Sequence, residues 1–360
     1  MALINFGYWE DRRVLVTGHT GFKGAWLSLF LTSLNASITG YALEHESSLY
    51  DHLEPYLPAD SFNSVIGDIT DKDKLSSCIS QFQPEVIFHL AAQPLVSEGY
   101  EKPFNTWHTN LTGTLNLLDS LSQLDQCCSV IIVTTDKVYK NYESNKAYSE
   151  NSEISGYDPY SASKAAIELL VDSWRHSTYF IKRSTFLHKI STVRSGNVIG
   201  GGDWSSNRIV PDLVTSLNAH RPVNIRSPLS VRPWQHVLDT LYGYILLAQT
   251  IADNFDPCFH SFNFGPDPSS SKSVLDLVER AFLTWPGSYI CNDTLLNHET
   301  SYLTLSSQKA STMLKWNPIL SFNETVDLTI GWYKDYYNNL DSPYNLTLSN
   351  IRRFISSLNE

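Results

Sequence analysis

The residues best suited to acid–base chemistry are a tyrosine and a lysine four positions apart, Tyr160 and Lys164. They follow Asp158-Pro159, a pair that is typical of the first residues of a helix. Residues i and i+4 of a helix share one face, so the phenol and the ammonium should point the same way. Because an ammonium favours the phenolate, we expect the pKa of Tyr160 to be lowered toward the working pH.

A second reactive cluster is Thr134-Thr135-Asp136-Lys137, which directly follows the apolar run at residues 130–133. A fully apolar run of this length is typical of a strand buried on both faces of a parallel sheet. Ligands of such sheets bind beyond the carboxyl ends of the strands. The cluster therefore places a candidate acid and a candidate base at the ligand-binding edge. The alternative is a strand-end turn with solvated charges.

The elements that must position these groups begin at residues 14–24, where three apolar residues precede Gly18, Gly21 and Gly24. A glycine turn between a strand and a helix leaves backbone N–H groups free at the positive end of the helix dipole, which suits a pyrophosphate. Gly18 would allow the tight turn, Gly21 the approach to the phosphates, and Gly24 the packing of helix on strand. The alternative is an ordinary glycine-rich connection. The predicted cofactor turn also contains His19, Thr20, Phe22 and Lys23.

Further cofactor contacts are predicted at the ends of the next strands. Glu44 lies 20 residues past Gly24, the position at which an acidic residue binds the adenosine ribose of NAD in such folds. No arginine stands just after this strand to bind the 2′-phosphate of NADP. A solvated loop glutamate is the alternative. Asp68, which ends the strand predicted near 64–67, could accept a hydrogen bond from the adenine amino group. The remaining predicted contacts are Ile69, Leu90, Ala91, Ala92 and Gln93.

The order of these elements predicts the α/β class, with a doubly wound parallel sheet of the Rossmann type and a smaller C-terminal α/β lobe. Residues 1–195, completed by about 237–265, form the predicted dinucleotide-binding domain. Residues 196–236 and 266–360 form the predicted nucleotide-sugar lobe. Since chain termini tend to be poorly tied down, we expect the last ~20 residues to be a peripheral tail.

Composition narrows the classes of function. The chain has 360 residues, 42% hydrophobic and 18% charged, and a net charge of −11 that argues against a nucleic-acid surface. The five cysteines show no metal-site spacing, and an odd number without a signal segment indicates reduced thiols. No apolar run reaches the length of a membrane span. We expect a cytoplasmic protein with no metal, nucleic-acid or membrane partner.

Five segments in this order, TGHTGFKG, HLAAQ, TTDK, YSASK and RSGNVIGGGDW, resemble the extended short-chain dehydrogenase/reductase family. The resemblance covers residues 14–336. Within the family it is strongest to the 4,6-dehydratases that act on CDP-glucose, for which TGHTGFKG and RPWQHV are the specific segments. The chain departs from this subgroup at Ser97-Glu98, where a basic residue usually stands.

The resemblance implies an internal redox dehydration of a nucleotide sugar, with NAD as the cofactor and CDP-glucose as the favoured substrate. It implies that Tyr160, assisted by Lys164, takes the proton of the C4 hydroxyl. Either Thr134 or Thr135 would hydrogen-bond that oxygen. A threonine of the cluster after residue 133 would thus act together with Tyr160 and Lys164 at the C4 hydroxyl.

The resemblance also assigns the elimination. Asp136 would protonate the departing C6 hydroxyl, and Lys137, in its neutral form, would take the C5 proton. Relatives that act on dTDP-glucose carry a glutamate at the place of Lys137. Arginine forks suit a pyrophosphate, although a surface salt bridge is the alternative for each arginine. The residues implied to face the nucleotide sugar are His89, Asn197, Arg208 and Arg232.

Two other function classes remain open. A 4-epimerase of the same family would need Tyr160 and Lys164 but not Asp136-Lys137, and a non-catalytic dinucleotide-sensing protein would need only the glycines. The segments 107–118 and 165–174 carry more apolar residues than one sheet face can cover. Because relatives pair these helices between subunits, we expect a homodimer or a dimer of dimers.

Overall fold

The computed structural model describes residues 4–44, 48–142, 146–177, 188–205, 207–253, 259–291 and 303–358. Its strands, in chain order, are β1 Arg13–Thr17, β2 Ser37–Ala42, β3 Phe62–Ile66, β4 Val86–His89, β5 Ser129–Val133, β6 Lys189–Arg194, β7 Val198–Ile199, β8 Val223–Ile225, β9 Val231–Pro233, β10 Gln235–His236, β11 Ser261–Asn263, β12 Ser271–Ser273 and β13 Tyr289–Cys291.

The main sheet has seven parallel strands in the order β11-β6-β5-β4-β1-β2-β3. Each central strand is buried on both faces, and all five residues of β5 are buried, as a sheet covered by helices on two sides requires. The predicted doubly wound parallel sheet is confirmed. The order reverses between β1 and β4, and ligands of such sheets bind at that switch point.

Helices cover both faces of this sheet. They are α1 Phe6–Trp9, α2 Phe22–Ser33, α3 Leu49–Leu53, α4 Lys72–Phe82, α5 Val96–Glu101, α6 Pro103–Trp107, α7 Gly113–Ser120, α8 Pro159–His176, α9 Ile209–Asn218, α10 Val237–Asp253, α11 Val274–Thr284, α12 Gln308–Leu314, α13 Phe322–Tyr337 and α14 Pro343–Leu358. The segment between α6 and α7, His108–Thr112, is one π-helical turn, so the chain is helical from Pro103 to Ser120 and widened in the middle.

Local signals in the sequence explain where the site-bearing helix α8 begins. The side chain of Asp158 accepts hydrogen bonds from the backbone N–H groups of Tyr160 and Ser161, and the hydroxyl of Ser161 returns one to Asp158. Pro159 occupies the first helical position, where a missing N–H costs nothing. The capping box therefore places Tyr160 in the first turn, as the sequence predicts.

The smaller lobe is built around short strand pairs and the helices α9, α11 and α13. Strand β7 pairs with β10, β9 with β12, and β8 with β13. The chain returns from this lobe through α10 to β11, which adds the last strand to the main sheet beside β6. The loops of the lobe thereby face the carboxyl ends of the main strands.

The expectation of a peripheral C-terminal tail is wrong. Helix α14 buries Ile351, Phe354 and Leu358. The ring of Phe354 contacts Phe30 of α2 and Tyr242 of α10 edge-on, with centroids 6.4 and 5.9 Å apart. An apolar stripe at helical spacing makes this segment part of the core, and it packs on α2 and α10.

Three findings concern classes of site. No helix in the described ranges is both long and apolar enough to cross a bilayer. Cys78, Cys127, Cys128 and Cys291 are free thiols. Within the same ranges, no three His, Cys, Asp or Glu side chains come together as a metal site would need.

Candidate active site

The glycine turn presses directly on the end of β4. Gly18 has φ +77°, and a Cβ built there would lie 2.7 Å from the backbone nitrogen of Ala91. A Cβ on Gly24 would lie 2.0 Å from the carbonyl oxygen of Gly18, so α2 can approach β1 this closely only with glycine there. Helix α2 starts from Gly21, which has no side chain to cap the first N–H groups. These are the features of an anion-binding helix start.

Two side chains of the turn form hydrogen bonds within the protein. The His19 ring is buried, with Nε2 2.8 Å from the Ser64 hydroxyl, and burial lowers its pKa to about 4. Thr20 donates to the carbonyl oxygen of Leu43 at 3.0 Å. Any cofactor contact of these two predicted residues would therefore come from the backbone. Phe22 is partly buried at the start of α2.

The predicted adenosine contacts lie at the ends of β2 and β3. Glu44 is exposed two residues beyond β2. Asp68 is exposed beyond β3, and its Oδ1 accepts hydrogen bonds from the backbone and hydroxyl of Thr70, both at 2.8 Å. The side chain of Ile69 belongs to the core, where it leaves no room for a Cβ on Gly113.

The loop after β4 is held by side chains that the sequence suggested for ligands. Gln93 hydrogen-bonds within the loop and to the Thr106 hydroxyl at 2.8 Å. The Asn110 amide joins the backbone of Gln93 to Ser163 of α8. The Gln93 side chain thus fixes the loop, while Leu90, Ala91 and Ala92 line it with small or partly buried residues. Asn110 lies in the π-helical turn, among other polar residues, so the sequence carries no distinct signal for its role.

His89 does not face a substrate pocket, and this prediction is corrected. The ring is 3% exposed, with Nδ1 2.8 Å from the Thr17 hydroxyl and Nε2 3.1 Å from the Thr114 hydroxyl. Burial, with Lys164 nearby, lowers the pKa of His89 to about 3. With both nitrogens used between β1 and α7, His89 is a neutral core histidine.

The two threonines after β5 have different roles. Thr134 donates to Oε1 of Glu168 at 2.5 Å and to the carbonyl oxygen of Val193, so its hydroxyl points into the interior. Thr135 donates to Oδ1 of Asp136 at 3.1 Å and also hydrogen-bonds the Tyr160 phenol. Successive residues of an extended chain point to opposite sides. The structure therefore removes Thr134 from the predicted catalytic set and leaves Thr135 beside Tyr160.

Asp136 is a buried carboxyl with few partners. It is 2% exposed, and its Oδ2 has no hydrogen-bond partner within the described part of the chain. Burial raises the pKa of Asp136, although Lys137, Thr135, Arg232 and Lys23 all oppose the shift. A carboxyl held in this way favours its protonated form, as a general acid must. The neighbouring Lys137 is exposed.

Tyr160 and Lys164 are both buried on α8, but the pKa of the tyrosine shifts in the direction opposite to the prediction. Burial raises the pKa of Tyr160 to about 12, against the opposing effects of Thr135 and Arg208. Burial and the charge of Lys23 lower the pKa of Lys164 to about 7, and its Nζ donates to the carbonyl oxygen of Val133 at 3.0 Å. Desolvation is the largest cause of both shifts.

Of the other three residues implied to face the nucleotide sugar, Arg208 forms an ion pair with Asp203 at 2.8 Å and influences the pKa values of Tyr160 and Lys23. Arg232 lies near Asp136 and donates to the carbonyl oxygen of Val231. Asn197 is partly buried, between β6 and β7. The salt bridge that was the alternative for Arg208 is present. The guanidinium is nevertheless close enough to Tyr160 and Lys23 to influence the pKa of each.

A buried ion pair behind the site was missed by the sequence analysis. Glu168 receives two hydrogen bonds from Arg194, both at 2.8 Å, and one from Thr192 at 2.6 Å. The signal was available, because Glu168 follows Tyr160 and Lys164 at the same four-residue spacing and so shares their helix face.

Comparison with known proteins decides the family. The sequence profile of the GDP-mannose 4,6 dehydratase family matches residues 15–258, more than half of the chain. The chain belongs to this family. Another relative, the CDP-glucose 4,6-dehydratase of Salmonella typhimurium, is 40% identical over 345 residues, which cover 94% of this chain and 95% of that protein.

More distant relatives of this GDP-mannose 4,6 dehydratase family member include epimerases. The UDP-glucose 4-epimerase of Mycoplasma genitalium is 25% identical over 287 residues, covering 75% of this chain and 81% of that protein. Among solved structures, dTDP-glucose 4,6-dehydratase from Bacillus anthracis in complex with NAD superimposes with a TM-score of 0.74, at 20% identity, over 92% of this chain and all of that one. This likeness supports the Rossmann fold.

Proposed function

We propose that this protein is a nucleotide-sugar 4,6-dehydratase, a lyase that converts CDP-glucose into CDP-4-keto-6-deoxyglucose with NAD as its cofactor. The observation that carries the proposal is Asp136. A buried carboxyl with a raised pKa beside Thr135 and Tyr160 can supply the proton that the loss of water from C6 needs, and an epimerase has no use for it. The 40% identity with a CDP-glucose 4,6-dehydratase supports the same substrate.

The residues present suit NAD. The turn of Gly18, Gly21 and Gly24 would hold the pyrophosphate, and the exposed carboxylates of Glu44 and Asp68 would bind the adenosine. The chemistry that NAD supplies when bound is reversible hydride transfer. Carboxylates at the ribose disfavour a 2′-phosphate, so NAD should bind more tightly than NADP, and Glu44→Ala should narrow that preference. Equal affinities in titrations of the unmodified protein would contradict this assignment.

The reacting protons are assigned to three side chains. Tyr160 takes the C4 hydroxyl proton, while Thr135 hydrogen-bonds that oxygen. Since burial raises the pKa of Tyr160 to about 12, the phenolate needs the positive charge of Lys164 and of the bound nicotinamide nearby. Once C4 is a ketone, the C5 proton is acidic and passes to the neutral amine of Lys137, which can return it to C5 when the C5–C6 double bond is reduced. Asp136 gives its proton to the C6 oxygen, which leaves as water.

The function is tested by incubating the purified protein with CDP-, dTDP-, GDP- and UDP-glucose. We expect alkaline absorbance of a 4-keto sugar with CDP-glucose above the others, and sugar NMR should show a C6 methyl group. Inversion at C4 without loss of water would establish a 4-epimerase instead. NAD binding with no change in any of the four sugars would indicate a dinucleotide-sensing protein.

Assembly and location complete the proposal. Phe104 and Leu169 are 77% and 67% exposed on α6 and α8, with Trp107 and Leu115 partly exposed nearby, and such an apolar surface favours a homodimer or a dimer of dimers. Leu169→Glu should then lower the mass found by light scattering at micromolar concentration, and a monomeric unmodified protein would contradict the dimer. We place the enzyme in the cytoplasm, where its free thiols stay reduced.

The proposed division of labour follows the predicted boundaries. Residues 1–195 with about 237–265 would bind NAD, and residues 196–236 with 266–360 would bind the nucleotide sugar. The return of β11 to the main sheet supports this division, and the packing of α14 on α2 places the last helix structurally with the first half.

A further inference from the structure

Lys23 is a lysine of the glycine turn that faces the reactive groups. It is the second residue of α2 and partly buried, and its Nζ donates to the Ser195 hydroxyl at 3.4 Å. That hydroxyl in turn lies 2.9 Å from the phenol of Tyr244. Within the described ranges, Lys23 forms no salt bridge. Its charge is therefore available to the site.

Lys23 contacts the side chain of Ser195, and the backbone of the same residue holds Asp136. The N–H of Asp136 donates to the carbonyl oxygen of Ser195 at 3.3 Å. The carboxylate lies against the next residue, Gly196, where an added Cβ would be 2.2 Å from Oδ2. Ser195 and Gly196 thus join the ammonium of Lys23 to the carboxyl of Asp136.

The charges around this pair come from several elements. Asp136 is influenced by Lys137 on its own turn, Arg232 of β9 and Tyr160 of α8. Lys23 is influenced by Arg208 and Asp203 of the smaller lobe and by Lys164 of α8. Burial lowers the pKa of Lys23 to about 8, so the side chain is still mostly an ammonium at neutral pH.

We propose, on the basis of the proposed dehydration, that Lys23 is a positioning residue for the elimination and stabilises the Asp136 carboxylate formed when water leaves. In that step the O–H bond of Asp136 breaks and its proton bonds to the C6 oxygen. The C6–O bond breaks with its electron pair, the C5–H electrons form the C5–C6 double bond, and the C5 proton passes to Lys137. A negative charge then remains on Asp136 in a buried place, and the ammonium of Lys23 offsets it.

The test compares Lys23→Met and Lys23→Arg with the unmodified protein, with Lys72→Met as the control. Lys72 pairs with Asp119 at 2.8 Å on the exposed start of α4, so its removal should change nothing. Lys23→Met should lower kcat for formation of the 4-keto product by about tenfold or more. This is part of the rate enhancement of about 10²–10⁴ that a general acid–base group supplies. Bound NADH should accumulate because oxidation at C4 survives, and Lys23→Arg should restore most of the rate.

The pH profile separates this role from a merely structural one. Loss of the ammonium raises the pKa of Asp136, so the basic limb of kcat should move to higher pH in Lys23→Met and not in Lys72→Met. A profile that superimposes on the unmodified one, with only the NAD affinity reduced, would show a phosphate ligand and overturn the proposal. If Lys23→Met does not fold, Lys23→Gln gives the same comparison. An unmodified protein that makes no 4-keto sugar would instead refute the proposed function.

Discussion

Two buried carboxyl groups, Glu168 and Asp136, lie on either side of the same pair of threonines and behave in opposite ways. Glu168 accepts hydrogen bonds from Thr134, Thr192 and Arg194. Burial alone raises its pKa, but these partners lower it below the usual value. Among the described residues, only Thr135 hydrogen-bonds the Asp136 side chain, and burial raises the pKa of Asp136. Burial does not decide the charge of a carboxyl; the supply of donors does.

This difference separates a structural carboxylate, Glu168, from a carboxyl suited to acid catalysis, Asp136. A buried ion that is fully paired is fixed in its charge, and it holds β6 and α8 together. A buried carboxyl with few hydrogen-bond donors around it tends to retain its proton, which it can then donate to a substrate. The adjacent hydroxyls of Thr134 and Thr135 point to one carboxyl each.

The largest expected effect is on turnover, from Asp136→Asn. The amide keeps the size of the side chain but has no acidic proton for the C6 oxygen, so formation of the 4-keto product should fall by about 10²–10⁴. Oxidation at C4 precedes this step, so absorbance of bound NADH should rise when CDP-glucose is added. Turnover at the unmodified rate in both Asp136→Asn and Lys137→Met would refute the dehydratase assignment.

The largest effect on stability should come from Glu168→Gln. The substitution leaves the Arg194 guanidinium buried without its carboxylate, which costs on the order of 3–5 kcal/mol in the free energy of unfolding. Glu153→Gln is the matched control, because Glu153 pairs with Lys140 at the surface, where solvent screens the charges and such pairs contribute little to stability. Urea unfolding followed by circular dichroism measures both, and equal losses in the two variants would contradict the comparison.

A smaller effect is expected from Gly196→Ala, which disturbs Asp136 without touching its chemistry. The added methyl group would meet Oδ2 of Asp136 at 2.2 Å and Pro233 at 3.3 Å. A displacement near 1 Å in an active site can lower the rate by about 10²-fold. Gly331→Ala, where no atom lies within 4 Å of the new methyl group, is the control. Equal kcat values for the two variants would mean that the carboxyl position is not critical.

The smallest effect concerns the pH dependence of stability. The lowered pKa of Glu168 gives stability that is present above its unfolded pKa and lost as the pH falls through the folded one. Asp136 has the opposite sign: its raised pKa makes the folded state less stable as the pH rises from 3.8 through the folded value. Asp136→Asn should therefore need more urea to unfold at pH 7 than the unmodified protein does. The two midpoints should converge near pH 4, and a less stable variant at pH 7 would contradict the sign.

The sequence predicted the parallel sheet, the glycine turn and the neighbourhood of Asp136, Tyr160 and Lys164, because each depends on local spacing. The start of α8 follows from Asp158-Pro159 alone. The fully apolar β5 and the residues just after it likewise locate the ligand-binding edge. Each of these features can be recognised from a short stretch of sequence, because strands and helices have characteristic periods.

The rest depends on contacts between distant segments. Nothing in a run of two threonines tells which one faces Glu168, a residue 34 positions away. His89 and Gln93 have the right types for ligands, yet partners on α6 and α7 engage both side chains. The raised pKa of Tyr160 reflects how deeply it is buried, and burial depth is a property of the assembled fold.

The packing of Phe354 on Phe30 and Tyr242 has a consequence for the order of synthesis. Helix α2 emerges early from the ribosome, but the helix that covers its outer face is translated after every strand of the main sheet. Until then the aromatic face of α2 stays open to solvent or to a chaperone. The core around α2 is therefore complete only once α14 has been translated, and a ribosome that stalls before α14 leaves a nascent chain with exposed apolar surface.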